Sequence, residues 1–330
     1  KTVITINPTS NLPNSQDVYV ALDATLEDSA DNAITAANAT FTTMALQSTV
    51  ATQPPLQNTG SSYNATSNKY VVSTLGHLSF IAQNTSFWSK NFIQTADIDA
   101  TVTKYWDDAD DTGGVTGDRH NDDNDATSTG NNEGFLPIGK NNIRPYTYFT
   151  GEYDGGGYSI NNLTINRPST NKYIGLFGQT QGATIRNLGV TNVNITGIYY
   201  AGSLAGIATD TTIDNCSASG IVALSGIAVN YSTSIAGGLV GYAFCSSSGS
   251  STCIIRNSYS TASVIDGGSG QTGGLVGFFN GYTMLNSYST GSVESASSTS
   301  GGLVGRKNSG TVTDSFYDNE TSGKSDTGKG

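Results

Sequence analysis

Five short blocks recur along the chain: IGLFG at 174–178, GSLAG at 202–206, and GGLVG at 237–241, 273–277 and 301–305. Their last glycines, Gly178, Gly206, Gly241, Gly277 and Gly305, stand 28, 35, 36 and 28 residues apart. Self-similarity at a near-fixed period marks a repeat architecture, and it decides how the whole chain packs before any local motif does. The two longer steps contain visible insertions, the segment ALSGIAVNYSTSI and the loop CSSSGSST.

A second anchor follows each block: ATIRNLGV, TTIDNCSASGIV, CIIRNSYSTASV, TMLNSYSTGSV and TVTDSFYD. Alignment stacks Ile185, Ile213, Ile255, Met284 and Val312 in an apolar column, and Asn187, Asn215, Asn257, Asn286 and Asp314 in a polar one. Upstream, SINNLTI is expected to place Ile160 and Asn162 in the same two columns. The apolar segments are short, are separated by Gly, Ser and Asn, and show no sustained 3.6-residue stripe, so they read as strands.

A unit of this size cannot bury its own inward face, so it must stack on copies of itself. In-register stacking at about 4.8 Å per layer pairs each strand's backbone groups with those of its neighbours. The expected fold is therefore all-β, a right-handed parallel β-helix in which about eight coils would rise roughly 40 Å. Asn tolerates left-handed backbone angles, so the Asn column is expected to turn the chain and to form amide ladders. The block glycines are expected at corners that a Cβ would obstruct.

These blocks, with NSYSTGSV and the terminal SFYDNETSG, resemble the GLUG-motif repeats of bacterial surface proteins, including large adhesins. The upstream stretches LGHLSFIAQNTSFWSKNFIQTADIDAT, GFLPIG and FTGEYDGGGYSINNLTI fit the same resemblance, which covers residues 72–322. It implies an extracellular or cell-surface scaffold rather than a defined activity. Residues 1–71 depart from the pattern and are expected to form an N-terminal cap or docking region, with 72–330 as the β-helix interrupted by an acidic insertion at 107–133. Within 1–71, TVITINP and DVYVALDATL read as strands, and NAITAANATFTTMALQ as a short helix or two strands. The chain starts at Lys1 without an initiator Met and stops in KSDTGKG, so a longer parent is expected.

Composition narrows the partners. The net charge of −11 opposes binding to nucleic acid, and no apolar run is long enough to insert this segment in a membrane. Cys245 and Cys253 bracket the CSSSGSST loop and are expected to close it as a disulfide, which implies an oxidising compartment; Cys216 sits where a small buried residue fits.

The acidic insertion gathers Asp107, Asp108, Asp110, Asp111, Asp118, Asp122, Asp123 and Asp125 in a Gly-containing loop. Oxygen-rich sets on a loop suit Ca²⁺, which would also relieve carboxylate repulsion; a solvated insertion is the alternative, and the EF-hand spacing fails at Ala126 and Glu133. Asp97 and Asp99 share one strand face opposite Ile98, as a catalytic carboxylate pair or as solvent-facing groups. The basic residues Lys172, Arg186, Arg256, Arg306 and Lys307 look scattered, with no cluster pairing one of them to several carboxylates. His77 lies in an apolar stretch and His120 in the acidic loop, with no GxSxG elbow. Tyr146, Tyr148, Tyr153 and Tyr158, with Tyr199 and Tyr200, offer a glycan-stacking face or cover coil edges. The N-x-S/T sequons, Asn38, Asn64, Asn84, Asn162, Asn194, Asn230 and Asn319 among them, reflect either composition or glycosylation.

The expected role is a structural or adhesive module, not an enzyme. Its partner would be a cell-surface glycan or protein, or copies of itself in a filament. A polysaccharide lyase or hydrolase on the same scaffold is the alternative.

Overall fold

The computed structural model describes residues 17–21, 38–42, 51–57, 68–106, 133–139, 147–167, 173–225, 234–247, 250, 252–268 and 270–325. The chain divides into two compact units, Lys1–Ser48 and Thr49–Gly330. The first contains an antiparallel pair, Asp17–Ala21 against Asn38–Thr42. The expected division at 71/72 falls inside the second unit because Tyr70–Val72 already pairs in parallel with Phe92–Gln94.

The second unit is all-β apart from short helices, and its strands pair in parallel, layer upon layer. The longest ladder begins with Tyr70–Val72, Phe92–Gln94 and Glu152–Asp154. It continues through the starts of Thr184–Gly197 and Thr212–Leu224 into Ile254–Arg256, and then through the ends of Val276–Leu285 and Val304–Thr313. Its inward column runs Tyr70, Phe92, Tyr153, Ile185, Ile213, Ile255, Met284, Val312. All of these are buried except Val312, which is partly so. The block leucines Leu176, Leu204, Leu239, Leu275 and Leu303 form another fully buried column. Burying each contributes about 1.5–3 kcal/mol, which offsets the backbone entropy of its coil only because the next layer covers it.

The Asn column turns the chain as expected: Asn187, Asn215, Asn257, Asn286 and Asp314 have φ of 54, 53, 53, 49 and 48°. The amides also ladder, with Asn215 Nδ2 donating to Asn187 Oδ1 at 3.0 Å and Asn286 Nδ2 to Asn257 Oδ1 at 3.4 Å. SINNLTI, however, belongs to a different corner. Ile160 pairs with Val190, and Asn162 bonds Asn192, both asparagines being left-handed at 63 and 52°. Tyr153 occupies the place in the Ile185 column that the alignment gave to Ile160. The error is one of spacing: two Asn corners per coil present similar local sequences.

The block glycines answer to close approach rather than to turning. None of Gly206, Gly241, Gly277 or Gly305 is left-handed. A Cβ on Gly241 would lie 2.6 Å from Gly206 O, and one on Gly305 2.6 Å from Gly277 O, so each layer's glycine admits the backbone of its neighbour.

The chain also holds a helix, Leu75–Gln83, that its pattern does not advertise. Leu75, Leu78, Ile81 and Ala82 face the core, a stripe too brief to stand out over nine residues. Thr74 caps it by accepting from His77 N, and Trp88 Nε1 donates to Ile81 O at 2.7 Å.

Cys245 and Cys253 are disulfide-bonded with Cα atoms 5.7 Å apart, closing the inserted loop. Cys216 is a buried free thiol in a column of small residues: its N–H donates to Ser258 Oγ, Ser258 N to Ser287 Oγ, and Ser287 N to Ser315 Oγ. Burial pushes its thiol up to about 12, so it stays protonated and unreactive.

The left-handed corner predicts a ranking at Asn215. Replacement by Val, whose Cβ opposes positive φ, should cost at least about 2 kcal/mol, whereas Gly should cost less than about 1 kcal/mol, losing only the amide bond. Urea denaturation followed by circular dichroism measures both; equal losses would remove backbone conformation as the cause.

Candidate functional site

In-register stacking converts sequence positions one coil apart into neighbours on the outer surface. The basic residues that look scattered in sequence are an instance, and the structure corrects that reading. Asp154, Arg186, Asp214 and Arg256 occupy successive layers of one ladder, a column alternating in sign. Arg186 Nη2 lies 2.8 Å from Glu152 Oε1 and 2.9 Å from Asp154 Oδ2. Lys69 Nζ reaches the same two carboxylates at 2.9 and 3.7 Å. Arg256 Nη2 meets Asp214 Oδ2 at 2.7 Å. One arginine thus serves two carboxylates.

Electrostatics follow from these contacts. Burial alone would raise Asp154, but bonds from Asn187 and the Gly156 N–H, with Arg186 and Lys69 nearby, hold it below the usual carboxylate value. Asp214 is held low chiefly by its bond from Arg256, then by Asn257. Both carboxylates are kept ionised, and each basic group faces one, so the column is charge-balanced. A general acid would need the opposite shift.

The other titratable candidates are likewise occupied. Ile98 is buried between half-buried Asp99 and exposed Asp97, as alternation requires. Asp97 Oδ1 accepts from Ser159 N at 2.7 Å. Burial would raise Asp99, but bonds from Thr101 and Asn162 lower it. His77 is half-buried, its Nδ1 accepts from Ser73 N, and burial lowers its pKa, so it is neutral and packed. His120 and the eight loop aspartates, Asp107 through Asp125, lie outside the described residues. Glu133, at the loop's end, is buried and ion-paired with Arg167 at 3.2 Å. Asp210 lies beside Cys245 and Cys253, but both sulfurs are spent in the disulfide, and Asp210 accepts from Ser246 N and Oγ at 2.7 and 2.6 Å.

Of the two alternatives for the tyrosines, Tyr153 and Tyr200 follow the packing one rather than an exposed glycan face. Tyr153 belongs to the core, its hydroxyl donating to Gln94 Oε1 at 2.9 Å, and Tyr146 lies outside the described residues. Tyr200 instead sits inside a half-buried stack, with ring centroids 5.5 Å from Tyr173 and 6.1 Å from Tyr242. Tyr242 lies 4.9 Å from Phe278, whose ring carries the Arg306 guanidinium at 5.3 Å.

A second aromatic column is more exposed. Pairing sets Ser159, Gly189, Ser217, Tyr259, Tyr288 and Phe316 in successive layers. Tyr259 and Tyr288 stack at 4.9 Å with their planes 2° apart. They are 37% and 42% exposed, and Phe316 is 70% exposed. The change from small to aromatic between Ser217 and Tyr259 makes a step: one face of Tyr259 covers Tyr288, and the other looks along a floor of small residues. Exposed Asn215 and part-exposed Arg186 and Arg256 flank that floor with hydrogen-bond donors. The aligned NSYST and SFYD segments carry the signal, since Tyr259, Tyr288 and Phe316 stand two residues after Asn257, Asn286 and Asp314.

Residues 197–223 match the GLUG motif. Halomucin of Haloquadratum walsbyi (strain DSM 16790 / HBSQ001) is 29% identical over 156 residues, 46% of this chain and 1% of that protein. The chain therefore corresponds to a very small part of that relative. No helix among the described residues is long and apolar enough to cross a membrane.

The lowered carboxylates predict an acid dependence. Groups with depressed folded-state values stabilise the fold fully above the unfolded carboxylate range, and that stability is lost as pH falls through the folded values. Thermal midpoints should thus hold between pH 7 and about 5 and fall below about pH 4. Asp214→Asn should lower the midpoint at pH 7 and shrink the acid loss; an undiminished acid slope in that variant would show that Asp214 is not among its sources.

Proposed function

We propose that this chain is a non-enzymatic adhesive module of a surface or secreted protein. In this reading its parallel ladders wind as a right-handed β-helix, and an outward face binds a neutral glycan. The observation that carries it is the exposed Tyr259 ring face above a small-residue floor. An aromatic face beside amide, hydroxyl and guanidinium groups suits a sugar, which has an apolar ring surface edged by hydroxyls. The balanced charge column and the net charge of −11 favour an uncharged saccharide over an acidic one.

The GLUG match and the likeness to a halomucin support a surface setting. The disulfide fits an oxidising compartment. A lyase or hydrolase reading is weaker, because Lys69, Arg186 and Arg256 are bonded to carboxylates and Asp154 and Asp214 are held ionised.

Two measurements test this reading. On an array of neutral and acidic oligosaccharides, the chain should bind neutral members, and Tyr259→Ala should weaken binding about twofold to tenfold, the worth of one aromatic stack. Tyr200→Ala should leave it unchanged; equal binding by the Tyr259 variant, or preference for acidic members, would overturn the site. The Ca²⁺ assignment for Asp107–Asp125 rests on sequence alone and is part of the proposal: added Ca²⁺ should raise the thermal midpoint, and an identical midpoint in a chelator would remove it.

A further inference from the structure

Exposed tyrosines are ordinarily too far apart, or too freely oriented, to react with one another. Parallel in-register pairing removes both obstacles at one place on this surface. Tyr259 is the direct partner of Tyr288 in adjoining strands, so their Cα atoms are one layer apart. The rings stack nearly parallel, 2° apart at 4.9 Å, and both residues are exposed to solvent. We propose that Tyr259 and Tyr288 form an oxidative cross-linking site, where hydrogen peroxide acting through a one-electron peroxidase-type oxidant joins the two rings as an intramolecular dityrosine.

The chemistry balances. Each phenol gives up one electron and one proton to become a phenoxyl radical. The radicals combine through a new carbon–carbon bond between ring carbons ortho to the oxygens, and the hydrogens on those carbons return to the oxygens as the rings regain aromaticity. Hydrogen peroxide takes the two electrons and two protons and leaves as two waters. Both stems rise from adjacent layers about 4.8 Å apart, so turning the exposed rings about χ2 from face-to-face to edge-to-edge, with an inward tilt, brings the ortho carbons together.

Among the described residues, the surroundings favour this pair. The next residue in the column on one side is Phe316, which has no phenol, and on the other Ser217. The competing stack of Tyr173, Tyr200 and Tyr242 is wider, at 5.5 and 6.1 Å, and half-buried. Burial first, then the neighbouring phenols, raises the Tyr200 phenol, which makes loss of its proton harder. Among the described residues the easier sinks for oxidant are shielded: Cys245 and Cys253 are already oxidised, while Cys216, Trp88, Trp106 and Met284 are buried.

The test treats the full chain, at a concentration low enough to suppress collisions, with horseradish-type peroxidase and hydrogen peroxide. The expected result is blue dityrosine fluorescence in a product that still migrates as a monomer. Peptide mapping should show the Tyr259 and Tyr288 peptides joined with the loss of two hydrogen atoms. Tyr259→Phe and Tyr288→Phe, which keep the ring stack, should each reduce the fluorescence to that of untreated protein, and Tyr200→Phe should not. Undiminished monomer fluorescence in either of the first two variants, or cross-links found only between molecules, would overturn the site. Glycan binding is a separate readout, so failure of either idea leaves the other standing.

Discussion

Parallel hydrogen bonding between successive layers is the constraint from which the rest of this structure descends. A strand paired in parallel on both sides has its backbone satisfied by the strands of the layers before and after it, so every position is bound to repeat its geometry. That is why Asn or Asp recurs at the left-handed corner from Asn187 to Asp314, and why glycine recurs where layers touch. It also explains a free cysteine among serines: Cys216 fills a place defined by its N–H bond to Ser258 Oγ rather than by thiol chemistry.

The same constraint governs what the surface can do. Side chains on outward positions meet their counterparts and diagonal neighbours one layer away, so charges organise as columns and neutralise one another along the ladder. Asp154, Arg186, Asp214 and Arg256 show this plainly. Opposite charges directly across a strand pair stabilise, and like charges destabilise, so the alternating column also opposes a slip of one layer past another. Aromatic residues obey the rule too, but a stack of rings hides its own faces. A ring face becomes available where a column changes from small to large, as at Tyr259.

Much of this was legible in the sequence because it repeats. The apolar column from Ile185 to Val312, the turning asparagines and the disulfide all follow from residues at matching positions. The remainder depends on which coil lies beside which. Ile160 and Asn162 were misplaced because each coil contains two similar corners, and nothing local distinguishes them. The pairing of Arg186 with Glu152 joins residues from different coils, so a search along the chain sees isolated charges. The helix Leu75–Gln83 escaped because nine residues carry too few turns to declare a period.

The inserted loops have a consequence beyond their own closure. Steps of 28, 35 and 36 residues all advance the ladder by a single layer, since Phe177 pairs with Ala205, Ala205 with Val240, and Val240 with Val276. Length is absorbed sideways at corners, as in the disulfide-closed segment between Cys245 and Cys253. Chain length and stack height are therefore independent variables. A corner can lengthen, shorten or acquire a new surface loop without changing the distance between any two strands of the scaffold.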